Sequence, residues 1–296
     1  MNLNADIKQK VVKAMLNNRP NFSGSDVAYA NSLGIHKSAY SQLKKGVTEK
    51  VLSEPKWISI ARRLNVTIGN EPEWVTAATP VYLYITKQLE YCQRESTTGI
   101  FCDKADIGKS HTAKEYVRRH KSAVYIDCSL VKSKQKLVRA IAKEFGIDHT
   151  GKYSDVFEDL VYYLKAIPTP IIILDEAGDL DYAAFLELKA LWNATENHCA
   201  WYMMGADGLE AKMERGIANR KVGFTEIFTR YGARYQKAIP KGTDERVAFM
   251  RKQSALIIQA NYPNAKEIDT LLTKTNGSLR RVRKEVIKLK RQSQLN

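Results

Sequence analysis

The chain has 296 residues, with 47 Lys/Arg against 32 Asp/Glu for a formal charge of +15, and 44% hydrophobic and 27% charged residues. That length holds a full core plus a smaller module, and the balance is that of a globular chain in water. It excludes several classes. No apolar run approaches the roughly 20 residues that span a bilayer. Residues 1–6 lack a basic-then-apolar leader. Cys92, Cys102, Cys128 and Cys199 stand apart with no C-x-x-C pair, which argues against a disulfide framework or a structural zinc site. The expected location is the cytoplasm, away from membranes.

The charge is uneven. Residues 1–78 carry +5, residues 79–240 only +2, and residues 241–296 carry +8. A nearly neutral body between two basic flanks suggests a polyanionic partner, most simply nucleic acid.

Residues 1–68 read as a bundle of short helices. Ile7, Val11, Val12, Met15 and Leu16 recur at helical spacing. Ser23-Gly24-Ser25-Asp26 supplies a cap for a helix over 27–33 that Gly34 closes, and a second helix over 37–45 ends at Gly46. Two short helices joined by a tight Gly-containing turn form a helix-turn-helix pattern, with Ala30, Leu33, Ile35, Tyr40 and Leu43 as the apolar seam. A further helix over 57–64 completes the core. The piece resembles the Cro/repressor type of helix-turn-helix domain. That resemblance puts Lys37, Ser38, Ser41, Gln42 and Lys45 on the exposed side of the second helix, available to DNA; a surface for protein contacts is the alternative. Residues 69–80, punctuated by Gly69, Pro72 and Pro80, read as a linker.

Residues 81–240 alternate helix and strand as a parallel sheet requires, with strands expected over 98–102, 123–128, 171–174 and 200–204. Helices are expected over 81–97, 109–120, 134–145, 155–166, 182–195 and 209–215. Residues 241–296 read as three helices, over 245–261, 266–275 and 279–292, forming a small basic lid.

The most telling segments are Cys102 to Ser110 and Ile171 to Glu176. The first ends an apolar strand, makes a short loop and opens a helix with Gly108-Lys109-Ser110. Backbone N–H groups of about Asp106, Ile107, Gly108, Lys109, Ser110 and His111 can cradle nucleotide phosphates there, with the Lys109 ammonium on the β- and γ-phosphates. Asp103 stands at the first glycine position of G-x-x-x-x-G-K-[ST]. An acid there is compatible with phosphates if it points away or is paired, with Lys104 the expected partner. The second segment drives four aliphatic residues into two carboxylates. Ser110 and Asp175 can hold Mg²⁺, directly or through water, and Glu176 can orient and activate the attacking water. The cofactors implied are ATP and Mg²⁺.

Three further elements suggest switching parts. Asp207 is the ionisable residue at the end of the 200–204 strand, where a sensor would face the γ-phosphate. Arg230 and Arg234 lie at the far edge of the core, suited to a neighbouring subunit's nucleotide or simply to the surface. Arg280, opening the last helix, could contact nucleotide and couple lid to hydrolysis. For DNA, Lys132, Lys134 and Lys136 follow the second core strand on the side where ligands gather. The last helix carries Arg280, Arg281, Arg283, Lys284, Lys288, Lys290 and Arg291 against one acid, over an apolar stripe of Leu279, Val282, Val286 and Leu289. Its charge suits either DNA or water.

With Gly108-Lys109-Ser110, Asp175-Glu176 and Gly277-Ser278-Leu279-Arg280 in this order, the chain resembles AAA+ ATPases. More narrowly it is similar to the Mu B family of transposon target-selection ATPases, through its size and domain order. The resemblance implies an α/β fold: a helix-turn-helix domain (1–68), a linker (69–80), an AAA+ P-loop core with a parallel sheet (81–240) and a helical lid (241–296). It also implies an ATP hydrolase that binds double-stranded DNA with little sequence preference and assembles as a homo-oligomeric filament or ring. Such a protein delivers target DNA to a transposase. A helicase loader or replication initiator on the same scaffold, and an ATP-regulated sequence-specific repressor, are the alternatives.

Overall fold

The computed structural model describes residues 3–64, 66, 68, 74–262 and 268–295. The first helices are α1 (Ala5–Asn18), α2 (Asp26–Ser32), α3 (Lys37–Lys44) and α4 (Glu54–Arg63). Their local signals are plain: Asn4 caps α1, Ser25 caps α2, and Pro55 stands in the first turn of α4. The expected α2–α3 seam forms, with Ala30, Leu33, Ile35, Tyr40 and Leu43 all buried against Val11, Met15, Trp57 and Ile60. Leu16 departs from expectation. At 38% exposure it turns outward from α1, because Val11, Val12 and Met15 already fill the buried stripe.

The core runs α5 (Pro80–Arg94), β1 (Thr98–Cys102), α6 (Lys109–Arg119), β2 (Ala123–Asp127), α7 (Lys134–Glu144), α8 (Tyr153–Ala166), β3 (Ile171–Asp175), α9 (Tyr182–Thr195), β4 (Ala200–Gly205), α10 (Asp207–Ala218), α11 (Phe224–Arg230) and β5 (Tyr235–Gln236). The five strands form one parallel sheet in the order β2-β3-β4-β1-β5, so β4 is inserted between the two strands expected to carry the chemistry. A parallel sheet is covered on both faces, and its central strands β1, β3 and β4 are accordingly almost entirely buried. Along β3, Ile172 and Leu174 pack toward α7, α8 and α9, whereas Ile171 and Ile173 pack toward α5 and α6. This period-two split closes a separate core on each face.

The lid comprises α12 (Thr243–Asn261), α13 (Ile268–Thr275) and α14 (Leu279–Leu295). Val282 and Val286 are fully buried against Ile258, Leu271 and Leu272, as the apolar stripe predicts. The expected linker differs from a loose tether. Pro80 begins α5 under a Thr79 cap, and the Val75 N–H donates to Asn261 Oδ1 (2.8 Å) while Asn261 Nδ2 donates to the Val75 carbonyl (2.8 Å). Residues 69–73 of that linker, and the start of the helix expected from residue 266, lie outside the described residues. The N-terminal helices also touch the core. Ser122 N–H donates to the Asn21 carbonyl (3.0 Å), and Arg63 pairs with Glu144, whose carboxyl is pushed up by burial against the pull of that arginine.

Candidate active site at the carboxyl edge of the sheet

Crevices outside the carboxyl ends of parallel strands are where open α/β sheets bind ligands, and the β1–α6 loop lies there. Gly108 is the N-cap residue of α6 with φ +98°, a left-handed conformation that a side chain would strain. It gives the helix no side-chain cap, so the first N–H groups of α6 have no partner within the helix and add to its positive end. Ile107 is buried in the core beneath the loop and anchors it. Lys109 is buried too, and its ammonium donates to the carbonyls of Asp103 (2.8 Å) and Lys104 (2.6 Å). Burial pushes the Lys109 pKa down, opposed by the carboxylates of Glu176, Asp175 and Asp103. The loop lysine and the strand-end acids therefore share one electrostatic neighbourhood. Ser110, half-buried, follows in the first turn of α6.

Asp175, 1% exposed, ends the fully buried β3. Its Oδ2 accepts from the Tyr125 hydroxyl (2.8 Å) and its Oδ1 from the Glu176 N–H (3.0 Å). Burial, and then the charge of Asp175, push the Tyr125 phenol up, so that it remains a donor. Glu176 is exposed and holds φ +50°, a left-handed backbone for a non-glycine residue. Partial loss of water around its carboxyl, followed by the repulsion of Asp175, raises its pKa, with Lys109 opposing. These groups fit a nucleotide with its ion: helix N–H groups and an ammonium for phosphate, and a fixed carboxylate on Asp175 for Mg²⁺. Among the described residues no cluster of three or more His, Cys, Asp or Glu forms a metal cage.

Asp103 takes the first of the two arrangements expected of it, pointing away, and meets Lys104 through that residue's backbone N–H. Only 5% exposed, it turns away from the loop: Oδ1 accepts from the Lys104 backbone N–H (2.8 Å), and Oδ2 from the N–H groups of Ala238 (2.7 Å) and Ile239 (2.9 Å). The acid fastens the chain leaving β5 to the end of β1. Three donors satisfy its charge with no cation needed.

The switching residues are redistributed as well. The carboxylate of Asp106 is directed to the lid, accepting from Ser278 Oγ (2.6 Å) and the Arg280 N–H (3.0 Å). The Arg280 side chain is 84% exposed, with its Nε 3.7 Å from Asp106; its partner is this acid of the loop. His111 meets Thr76 Oγ1 (3.0 Å), and burial lowers its pKa. Asp207 lies past the end of β4 as the first residue of α10, exposed to solvent. Arg230 stacks over Trp192 at 4.7 Å, and its carbonyl accepts from Thr98 at the amino end of β1. That position is the opposite edge from the loop. Arg234, by contrast, is exposed just before β5.

The candidate DNA residues face outward. Lys132, Lys134 and Lys136 are exposed at the carboxyl end of β2 and the start of α7, where Cys128 N–H donates to the Asp175 carbonyl (2.9 Å). The lysine loop and the Asp175 strand end are thereby joined. Lys37, Ser38, Ser41 and Gln42 are exposed on α3 and Lys45 at its C-cap, whereas Lys44 is held by Asp26 at 2.9 Å.

The family model for an AAA domain matches residues 93–213, from the end of α5 into α10. This stretch contains the β1–α6 loop and Asp175-Glu176. Fold, site and match agree on an AAA+ P-loop ATPase core, a nucleotide-binding α/β domain flanked by helical pieces. No curated protein matches the chain. No helix among the described residues is long and apolar enough to cross a membrane. Sequence reasoning missed Tyr125 as the partner of Asp175; its signal was a hydroxyl-bearing residue on the neighbouring strand, two positions before Asp127, which registers with Asp175.

Proposed function

We propose that the chain is an ATP-dependent, largely sequence-independent double-stranded DNA-binding ATPase of the Mu B type, which assembles on target DNA and hands it to a transposase. The observation that carries this reading is the backbone bond between Cys128 and Asp175, which ties an exposed lysine loop to the end of the acid-bearing strand. A surface for phosphodiesters and a site for a triphosphate thus share one edge of the sheet. The +5 and +8 charges of the flanking pieces support the same partner.

At the site, Lys109 and the first N–H groups of α6 bind and orient the phosphates. Ser110 and Asp175 would hold Mg²⁺, with Tyr125 fixing the carboxylate. A bound ion would neutralise phosphate charge and polarise the bond to be broken. Glu176 accepts a proton from the attacking water. Its raised pKa makes it a better acceptor than an ordinary carboxylate once it is ionised. The exposed Arg234 is the arginine suited to a neighbouring protomer's site, since Arg230 is committed to Trp192.

The test is electron microscopy of the protein with ATP, Mg²⁺ and plain duplex DNA at low salt. Continuous protein-coated duplex that requires ATP is expected, and Glu176→Gln should trap that form. Bare DNA under these conditions, with the protein folded and ATP bound, would contradict the reading. A footprint confined to one defined palindrome would instead favour a repressor, and recovery of a replicative helicase as partner would favour a loader.

A further inference from the structure

Asp106 is an acid inside the phosphate-binding loop, at φ +62°, and its carboxylate is spent on the lid. It sits at the N-terminus of α14, bonded to Ser278 Oγ (2.6 Å) and the Arg280 N–H (3.0 Å), with the Arg280 guanidinium Nε 3.7 Å away. A helix N-terminus favours an anion, and here the anion comes from a residue 172 positions earlier. A second contact accompanies it: a Cβ placed on Gly108 would lie 3.8 Å from Leu279 Cδ1, so the first apolar residue of α14 lies over the loop. Other attachments of the lid differ in kind. Gln253 accepts from the Val81 N–H (3.1 Å) and Asn261 brackets Val75, through neutral amides. Of these contacts, the one at Asp106 is made by a charged group of the loop itself, and a phosphate bound there would disturb it.

We propose that Asp106 and Arg280 form a phosphate-displaceable latch, in which the loop's own carboxylate holds the lid helix until a bound triphosphate takes over the arginine. This rests on the nucleotide reading of the site. A triphosphate on Lys109 brings several negative charges beside Asp106, and like charges repel. It also offers Arg280 a multiply charged acceptor suited to a guanidinium fork. The exposed Arg280 side chain can exchange partners without leaving a cavity. The latch thus opposes nucleotide binding, and breaking it is how occupancy of the site reaches the lid, by differential contact in two states.

Hydrogen exchange on the full chain reads the latch before any nucleotide is added. In Asp106→Ala the amides of residues 280–283 should exchange roughly tenfold faster than in the unaltered protein, and Asp106→Asn, which keeps acceptors but no charge, should fall between. Adding Mg-ATP to the unaltered protein should speed the same amides. It should add little in Asp106→Ala and lose its effect in Arg280→Ala. Asp106→Ala should bind ATP roughly 5- to 20-fold more tightly, within the usual range of coupling between sites. Circular dichroism checks that each variant is folded. Equal exchange at 280–283 in folded Asp106→Ala and the unaltered protein, no response of those amides to bound ATP, or weaker ATP binding by folded Asp106→Ala would each overturn the latch. If the unaltered protein takes up no ATP, the nucleotide reading fails instead, while the difference in exchange without nucleotide still reports the Asp106 contact.

Discussion

The acids at the carboxyl edge of the sheet and the cations of the flanking pieces are arranged in opposite ways. Asp103, Asp106 and Asp175 are each held by protein donors: backbone N–H groups for the first, the lid for the second, and Tyr125 with a backbone N–H for the third. Lys37 of α3, and Lys132, Lys134 and Lys136 around the start of α7, instead expose their side chains to solvent, with loose neighbours in Asp179 (3.9 Å from Lys132) and Tyr153 (5.2 Å from Lys134). The difference teaches what each region is built for. A reaction needs charges preset to within a fraction of an ångström. A uniform polyanion needs only cations of adequate density, which long flexible side chains provide without fixed geometry.

Four variants would break or sharpen that contrast. The largest effect belongs to Lys109→Ala, which removes the buried ammonium. ATP affinity measured by calorimetry should fall by about 100-fold or more, the scale of two charge-assisted bonds, and ATP-dependent assembly on DNA should vanish. Asp103→Gly comes next, and its direction is the more informative one. Restoring the glycine of the P-loop pattern should destabilise the protein, by about 2–4 kcal/mol in urea unfolding, because the N–H groups of Ala238 and Ile239 lose their acceptor. A neutral or stabilising result would show that the acid has no structural task.

The triple change Lys132→Ala, Lys134→Ala, Lys136→Ala should leave folding intact and weaken duplex binding at low salt. The slope of log K against log[salt] should flatten by about 0.9 for each phosphate that the loop no longer neutralises; an unchanged slope would remove this loop from the interface. The smallest effects concern Glu176. Its folded pKa is raised, and the reaction needs the ionised form. ATPase activity should therefore fall with pH starting above the ordinary carboxylate range, a limb absent from the residual activity of Glu176→Gln. The stability sign follows from the same shift. A carboxyl that binds its proton more tightly when folded destabilises the fold once ionised, so Glu176→Gln should melt slightly higher at pH 7, and this advantage should disappear below the unfolded pKa near 4.5.

Where a segment's neighbours in sequence are also its physical determinants, the chain was readable. The aliphatic run into Asp175-Glu176 is a buried strand, and Tyr182–Thr195 is a helix with the expected bounds. Gly108-Lys109-Ser110 opens α6 as its chemistry requires. What escaped is set from a distance. β5 is two residues long and has no periodicity to detect; it is a strand because Ile100 and Phe101 pair with it. The seven residues of α11 span too few turns for a stripe to show. Asp103 is bonded to residues 135 and 136 positions away, and Asp106 to the lid, so no local pattern could assign either carboxylate. Arg230 looked outward by sequence, yet the face of Trp192 claims it.

The account depends most on a triphosphate being seated at Lys109 beside Asp175. Titrating Mg-ATP into the intact, folded chain in a calorimeter tests this directly. We predict saturable heat with one site per chain in the unaltered protein and uptake weakened by about 100-fold or more in Lys109→Ala; a flat thermogram from the folded, unaltered protein would contradict the account.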